Sequence, residues 1–183
     1  TPRDVKGTAM LTFTHKTEPD DQWLYLPALK RVKRISSANR SGSFMGSEFA
    51  YEDLSSEEVE KYTYRWTRDE ACPGDDYQTI ACFVVERDPV DPKSGYSRQL
   101  VWLDTEEYRV WKVEFYARGR DSLLKTLTVT DFEQHLDRFW RPKTMSMVNH
   151  QTGKRTRLVW QTQRLQTGPD AADFTTASLK RVR

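Results

Sequence analysis

Strand-type alternation runs through most of the chain. In "TAMLTFTH" Ala9, Leu11 and Phe13 share one face while Thr8, Met10, Thr12 and Thr14 share the other, which predicts a half-buried strand. After the turn "KTEPDD" comes "QWLYLPALKRVKRI", where Trp23 and Tyr25 oppose Leu24 and Leu26 and both faces are partly apolar. "EKYTYRWT" places Tyr62, Tyr64 and Trp66 on one face, and "IACFVVE" is its expected partner strand.

Further along, "QLVWL", "YRVWKVEFYA" and "SLLKTLTVTDF" read as a three-stranded meander with Trp111, Val113 and Phe115 on one face. A final hairpin joins "RFWRPKTMSMVN" to "TRLVWQTQRL" through "HQTGK". It sets Met145 and Met147 on one face, with Leu158 and Trp160 facing similarly across the turn. Helical signals are confined to "AYEDLSSEEVE" and the tail "PDAADFTTASLKRVR", where Asp173 is the candidate cap of a turn carrying Phe174 and Leu179. The expected fold is mainly antiparallel β in one domain spanning residues 1–183, with no repeat or linker dividing it.

Composition narrows the partners. The 29 Lys and Arg nearly cancel 27 Asp and Glu, leaving a net charge of +2, so nothing demands a polyanion. No run of about 18 to 20 apolar residues is present to span a membrane as a helix, and no signal-peptide pattern opens the chain. The abrupt start at Thr1 leads us to expect a processed or truncated product. Cys72 and Cys82 flank a Pro-Gly-Asp-Asp turn signal; they are either a hairpin disulfide, implying an oxidising compartment, or two buried thiols. If the two lie opposite one another the hairpin centres on Tyr77; the tighter Pro73-Gly74 turn is the other register.

Candidate chemistry is sparse. "SGSFMGSEF" lacks the Gly-Lys-Ser/Thr ending of a phosphate-cradling loop, and the basic run Lys30, Arg31, Lys33, Arg34 reads first as a solvated strand face. His15, His135 and His150 are far apart, Glu57, Glu58 and Glu60 lack a placed partner acid, and neither cysteine has the spacing of a zinc site. We expect no catalysis, no metal and no cofactor. What stands out is the aromatic load, 12% of residues, concentrated on single strand faces; it is either sandwich core or the lining of a cavity for an apolar ligand.

The segments "DDQWLYLPALKRVKRISSANRSGSFMGSEFAYEDL", "GYSRQLVWLD", "KVEFYARGRDSLLKTL" and "RPKTMSMVNHQTGKRTRLVW" together resemble the outer-membrane lipoprotein-sorting protein family, the LolA-like group. The resemblance covers roughly residues 5 to 165, and "WLYLP" with "SGSFMGSEF" marks one subgroup. It implies a curved half-barrel sheet with short helical segments, sheltering lipid acyl chains or a lipoprotein in the periplasm on the way to the outer membrane. It also implies that an export signal and an N-terminal helix and strands of the family fold are missing here, leaving a sheet edge open to dimerisation.

On that basis the cavity candidates on the early strands are Trp23, Tyr25, Tyr62, Tyr64 and Trp66, and those on the later strands are Trp111, Phe115, Met145, Met147 and Trp160. Residues 36–49, carrying Phe44, Met45 and Phe49 beside Lys30, Arg31, Lys33 and Arg34, are expected to form a mobile gate or docking loop at the rim. The alternative function is a non-catalytic module docking a membrane exporter or an outer-membrane acceptor. No nucleic acid is expected as partner.

Overall fold

A computed structural model describes residues 5–55, 58–74 and 80–181. It contains two antiparallel, open and curved sheets. The first has three strands: β1 (Ala9–Phe13), β2 (Asp21–Leu26) and β3 (Arg31–Ile35). The second is a seven-stranded meander of β4 (Tyr62–Ala71), β5 (Ala81–Pro89), β6 (Tyr96–Asp104), β7 (Val110–Ala117), β8 (Leu123–His135), β9 (Phe139–Asn149) and β10 (Arg155–Val159).

The run "QWLYLPALKRVKRI" is two strands, not one. Pro27 has no N–H for a ladder, so Pro27–Leu29 makes a 3-10 turn, and Lys30 takes a positive φ to send β3 back along β2. The helical signals shrink to single 3-10 turns at Tyr51–Leu54, Val59–Lys61, Ala171–Asp173 and Ser178–Arg181. The tail turn at 171 is capped by Asp170, which accepts from the Ala172 N–H, rather than by Asp173. Leu179 in the last turn is buried against the three-stranded sheet.

Register organises the inner face of the large sheet into rows. Val85, Val101, Val113, Leu127 and Met147 stand opposite one another in order across β5 to β9, an apolar stripe crossing the curve. Two residues along, Arg87, Gln99, Phe115, Lys125 and Asn149 form a second, mostly polar row on the same face.

That polar row receives the segment 44–54. Phe49 is fully buried in the core with Tyr96, Val113, Phe115 and Met147. Around it, Lys125 Nζ donates to Asp53 at 2.6 Å and to the Glu48 carbonyl at 3.2 Å. Asn149 donates to the Glu48 carboxylate, and the Thr156 hydroxyl accepts from the Glu48 N–H. The segment is knotted on itself by Phe44 N–H to Phe49 C=O at 2.7 Å, across a tip where Met45 and Gly46 both have positive φ. The expected mobile loop is therefore a plug seated in the half-barrel, because burying Phe49 removes a large aromatic surface from water.

The sulfurs of Cys72 and Cys82 are joined across the β4–β5 hairpin, with Cα atoms 5.0 Å apart. Cys82 faces Glu70 and the Cys72 N–H donates to Ile80, so the bridge is diagonal rather than between directly opposed residues. The expected hairpin centre, Tyr77, lies outside the described residues.

Lys125→Met is expected to leave Asp53 buried without its cation and to lower unfolding free energy by about 3–5 kcal/mol in urea titration. The double change Lys125→Met with Asp53→Leu recovers part of that loss. Equal stability of the single variant and the parent would show that the pair does not seat the plug.

Candidate functional site

An open cavity of about 520 Å³ occupies the part of the half-barrel that the plug leaves empty. Its floor is the inner face of β7 to β9, with Val113, Phe115, Leu127, Val129 and Met145, and the plug closes one end with Glu52 and Asp53. In a meander, alternate turns gather at one end of the sheet. The β6–β7 turn therefore brings Tyr108 and Arg109, and the β8–β9 turn brings Arg138 and Phe139, to the same mouth.

Hydrogen bonds fix the β6–β7 turn from within. Asp104 is fully buried and accepts from the Glu106 and Glu107 N–H groups, from Arg109 at 2.7 Å and from Trp111 at 2.9 Å. Burial pushes its carboxyl up, but these donors outweigh burial and hold it below the ordinary range. Arg109 is thereby held with its guanidinium 4.6 Å from the Trp140 ring centre and 5.5 Å from that of Phe132. Tyr108 stacks on Phe83 at 6.4 Å.

At the closed end Arg87 donates to Gln99 and lies 4.6 Å over Tyr62. The Tyr96 hydroxyl donates to Asp53 at 2.6 Å, and burial, then the Asp53 and Glu52 carboxylates, push that phenol well above its usual pKa. Glu52 accepts from the Gly95 N–H at 3.0 Å and the Ser94 hydroxyl at 2.9 Å, yet burial still pushes its carboxyl up. A Cβ on Gly95 would lie 2.9 Å from Ser41 Cβ and 3.1 Å from Glu52 Oε1, so glycine is what lets Glu52 reach that N–H.

A smaller cleft of about 290 Å³ between the two sheets is lined by Pro19, Tyr62, Pro89 and Val90 together with charges that compensate one another through Arg40 with Asp91 and Lys61 with Asp20. The histidines do not converge. His15 meets Asp21, His150 meets Thr126 near the start of β8, and His135 ends the same strand. Among the described residues no three His, Cys, Asp or Glu side chains are grouped to hold a metal ion. No described helix is long and apolar enough to cross a membrane.

A family model whose description reads only "-like: Uncharacterized protein" matches residues 1–181. The chain is 56% identical to a crystallised Vibrio parahaemolyticus domain provisionally described as an outer membrane lipoprotein-sorting protein; the match has a TM-score of 0.91 and covers 99% of this chain and 74% of that one. The chain belongs to the outer-membrane lipoprotein-sorting family. A DUF1329 family protein from Desulfovibrio piger is 30% identical, with a TM-score of 0.87 over 98% of this chain and 73% of that one. A LolA superfamily protein from Nitrosomonas europaea, 24% identical with a TM-score of 0.69 over 97% and 74%, shares the fold. Among curated proteins none matches.

Against this lipoprotein-sorting fold the sequence-predicted cavity residues divide. Tyr62, Phe115 and Met145 line the cavity. Trp111 and Met147 are buried in the core around it, where close packing leaves no room for a ligand. Trp23 and Tyr25 belong to the three-stranded sheet, Trp23 packed edge-on against Phe13 with Arg34 over its face. Tyr64 and Trp66 project from the edge strand β4, 47% and 61% exposed, and Trp160 follows β10 in a partly exposed position.

Of the presumed rim, Lys30 is exposed in the turn before β3, Arg31 and Lys33 are exposed on β3, Arg34 pairs with Asp21, Phe44 packs edge-on to Tyr51, and Met45 is half-buried at the plug tip. The sequence reading missed the residues of the turns, above all Tyr108, Arg109, Arg138 and Phe139. The signal available was that every second turn of a meander opens on the same end.

Glu52→Gln is expected to raise the melting temperature more at pH 7 than at pH 4. A carboxyl whose folded pKa lies above its unfolded value contributes stability below the unfolded value and loses it as pH rises through the folded one. An equal change at both pH values would show that burial of this carboxylate carries no cost.

Proposed function

We propose that the protein is a periplasmic carrier that shelters acyl chains, of a lipid or a lipoprotein, in the half-barrel cavity during transfer to the outer membrane. The observation that carries this reading is an open cavity of about 520 Å³ floored by apolar side chains, in a chain 56% identical to a relative described for lipoprotein sorting. Burial of alkyl surface against Val113, Phe115, Leu127 and Val129 would supply binding at about 25 cal/mol per Å², without catalysis. Met145, unbranched and soft, suits chains of varied shape. Within the family we place the chain in the subgroup carrying "WLYLP" and "SGSFMGSEF".

Partner contact in this reading falls on β3, an edge of the small sheet, and the turn before it, where Arg31 and Lys33 of the strand and Lys30 of the turn are exposed beside Leu29, itself 63% exposed. That surface suits an acidic face on an exporter or acceptor. Edge strands β1 and β3 also offer unpaired backbone groups to a second chain.

The protein purified under mild conditions from a cell envelope is expected to release stoichiometric lipid into organic solvent, identified by mass spectrometry. Met145→Asp, folded by circular dichroism, is expected to release little, since a carboxylate in the cavity opposes alkyl burial. Parent protein that carries no lipid and takes up none from added vesicles would sink the carrier reading.

A further inference from the structure

We infer that the cavity mouth is a binding site for an anionic headgroup, so that the cargo is an acidic amphiphile whose phosphate or carboxylate sits among arginines while its chain lies on the apolar floor. This rests on the carrier reading and adds the polar half of the ligand. Three arginines stand at the mouth, Arg109 from the β6–β7 turn, Arg138 from the β8–β9 turn and Arg141 from β9, while Arg87 from β5 lines the closed end of the same cavity.

Their states differ in a way that fits anion capture. Arg87 and Arg109 are held in place, one by Gln99 and the Tyr62 face, the other by Asp104 and the Trp140 face, so each guanidinium is positioned before any ligand arrives. Arg138 and Arg141 are exposed, and among the described residues neither has a carboxylate partner. Arg138 only lies over the Phe139 ring, 5.2 Å from its centre.

Several long cations elsewhere are matched with acids, as in Arg65 with Glu86, Arg68 with Glu70, Arg98 with Asp121 and Lys143 with Glu133. Among the described residues Arg138 and Arg141 share the lack of such a partner with Lys30, Arg31 and Lys33, and differ from them in bordering a cavity with an apolar floor. Arg109 is already ion-paired with buried Asp104, but the lining acids do not cancel Arg138 and Arg141. Glu52 is turned to Gly95 and Ser94, and Asp53 to Lys125 and Tyr96, which leaves exposed Glu107 as the acid free to oppose them. Guanidinium groups present paired N–H donors that match the oxygens of a phosphate or carboxylate, and the arginines border the floor on which an alkyl chain would lie.

The test compares lauroyl lysophosphatidic acid with monolauroylglycerol, which differ only by the phosphate, each monomeric in solution, with inorganic phosphate as a third titrant. Binding to the parent and to Arg138→Gln/Arg141→Gln is followed by calorimetry, with melting temperatures recorded. We expect the phosphorylated amphiphile to bind about tenfold tighter than the neutral one, and the double variant to lose about that factor for it alone.

Equal affinities that the variant leaves unchanged would overturn the headgroup site while leaving the carrier reading intact. Failure of both amphiphiles to bind would remove the carrier reading and this inference with it. Inorganic phosphate binding as tightly as the phosphorylated amphiphile would make the site one for a free anion and overturn its assignment to a lipid.

Discussion

The half-barrel depends on one buried cation. Lys125 stands in the middle of the large sheet, almost fully removed from water, and its ammonium group can be tolerated there only because the segment 48–53 brings it Asp53 and the Glu48 carbonyl. The requirement is mutual. Asp53 is equally buried and also accepts from the Ala50 N–H and from Tyr96, so the plug cannot leave without exposing an unpaired charge on each side. An ion pair of this kind adds little net stability over an apolar pair, but it specifies one seating of the plug among many.

That seating determines the cavity. Phe49 fills one end of the concave face, and the apolar rows left uncovered toward the β6–β7 and β8–β9 turns become a floor open to solvent. At the far end Asp104 does for the turn what Lys125 does for the plug: a single buried carboxylate gathers two backbone N–H groups, an arginine and a tryptophan. A site between two such fixed ends is pre-formed, which keeps the ordering cost of binding low.

Period-two alternation in "KYTYRW", "VWKVEFYA" and "KTMSMV" was enough to read antiparallel strands and their hairpin partners, because side-chain direction in a strand is a local property of the backbone. The same alternation made Trp111 and Met145 look equivalent. They are not: Trp111 is the extra residue of a register shift, between Val110 opposite Leu103 and Lys112 opposite Trp102, and its indole turns to Asp104, whereas Met145 keeps an open position on the floor. A bulge displaces everything beyond it, and nothing in the neighbouring letters marks its place.

By itself, then, the sequence determined the class of fold, the order of the hairpins and the family whose segments it repeats, and it left the two cysteines as either a bridge or two thiols. Only the tertiary structure decided which face would be concave, that "SGSFMGSEF" would fill it rather than guard it, and that Arg109, Arg138 and Arg141, from two separate turns and a strand, would meet at one mouth. The physical reason is range. Alternation and turn chemistry act over a few residues, whereas a buried charge such as Lys125 selects its partner 72 residues away, and only the folded sheet brings the two within hydrogen-bonding distance.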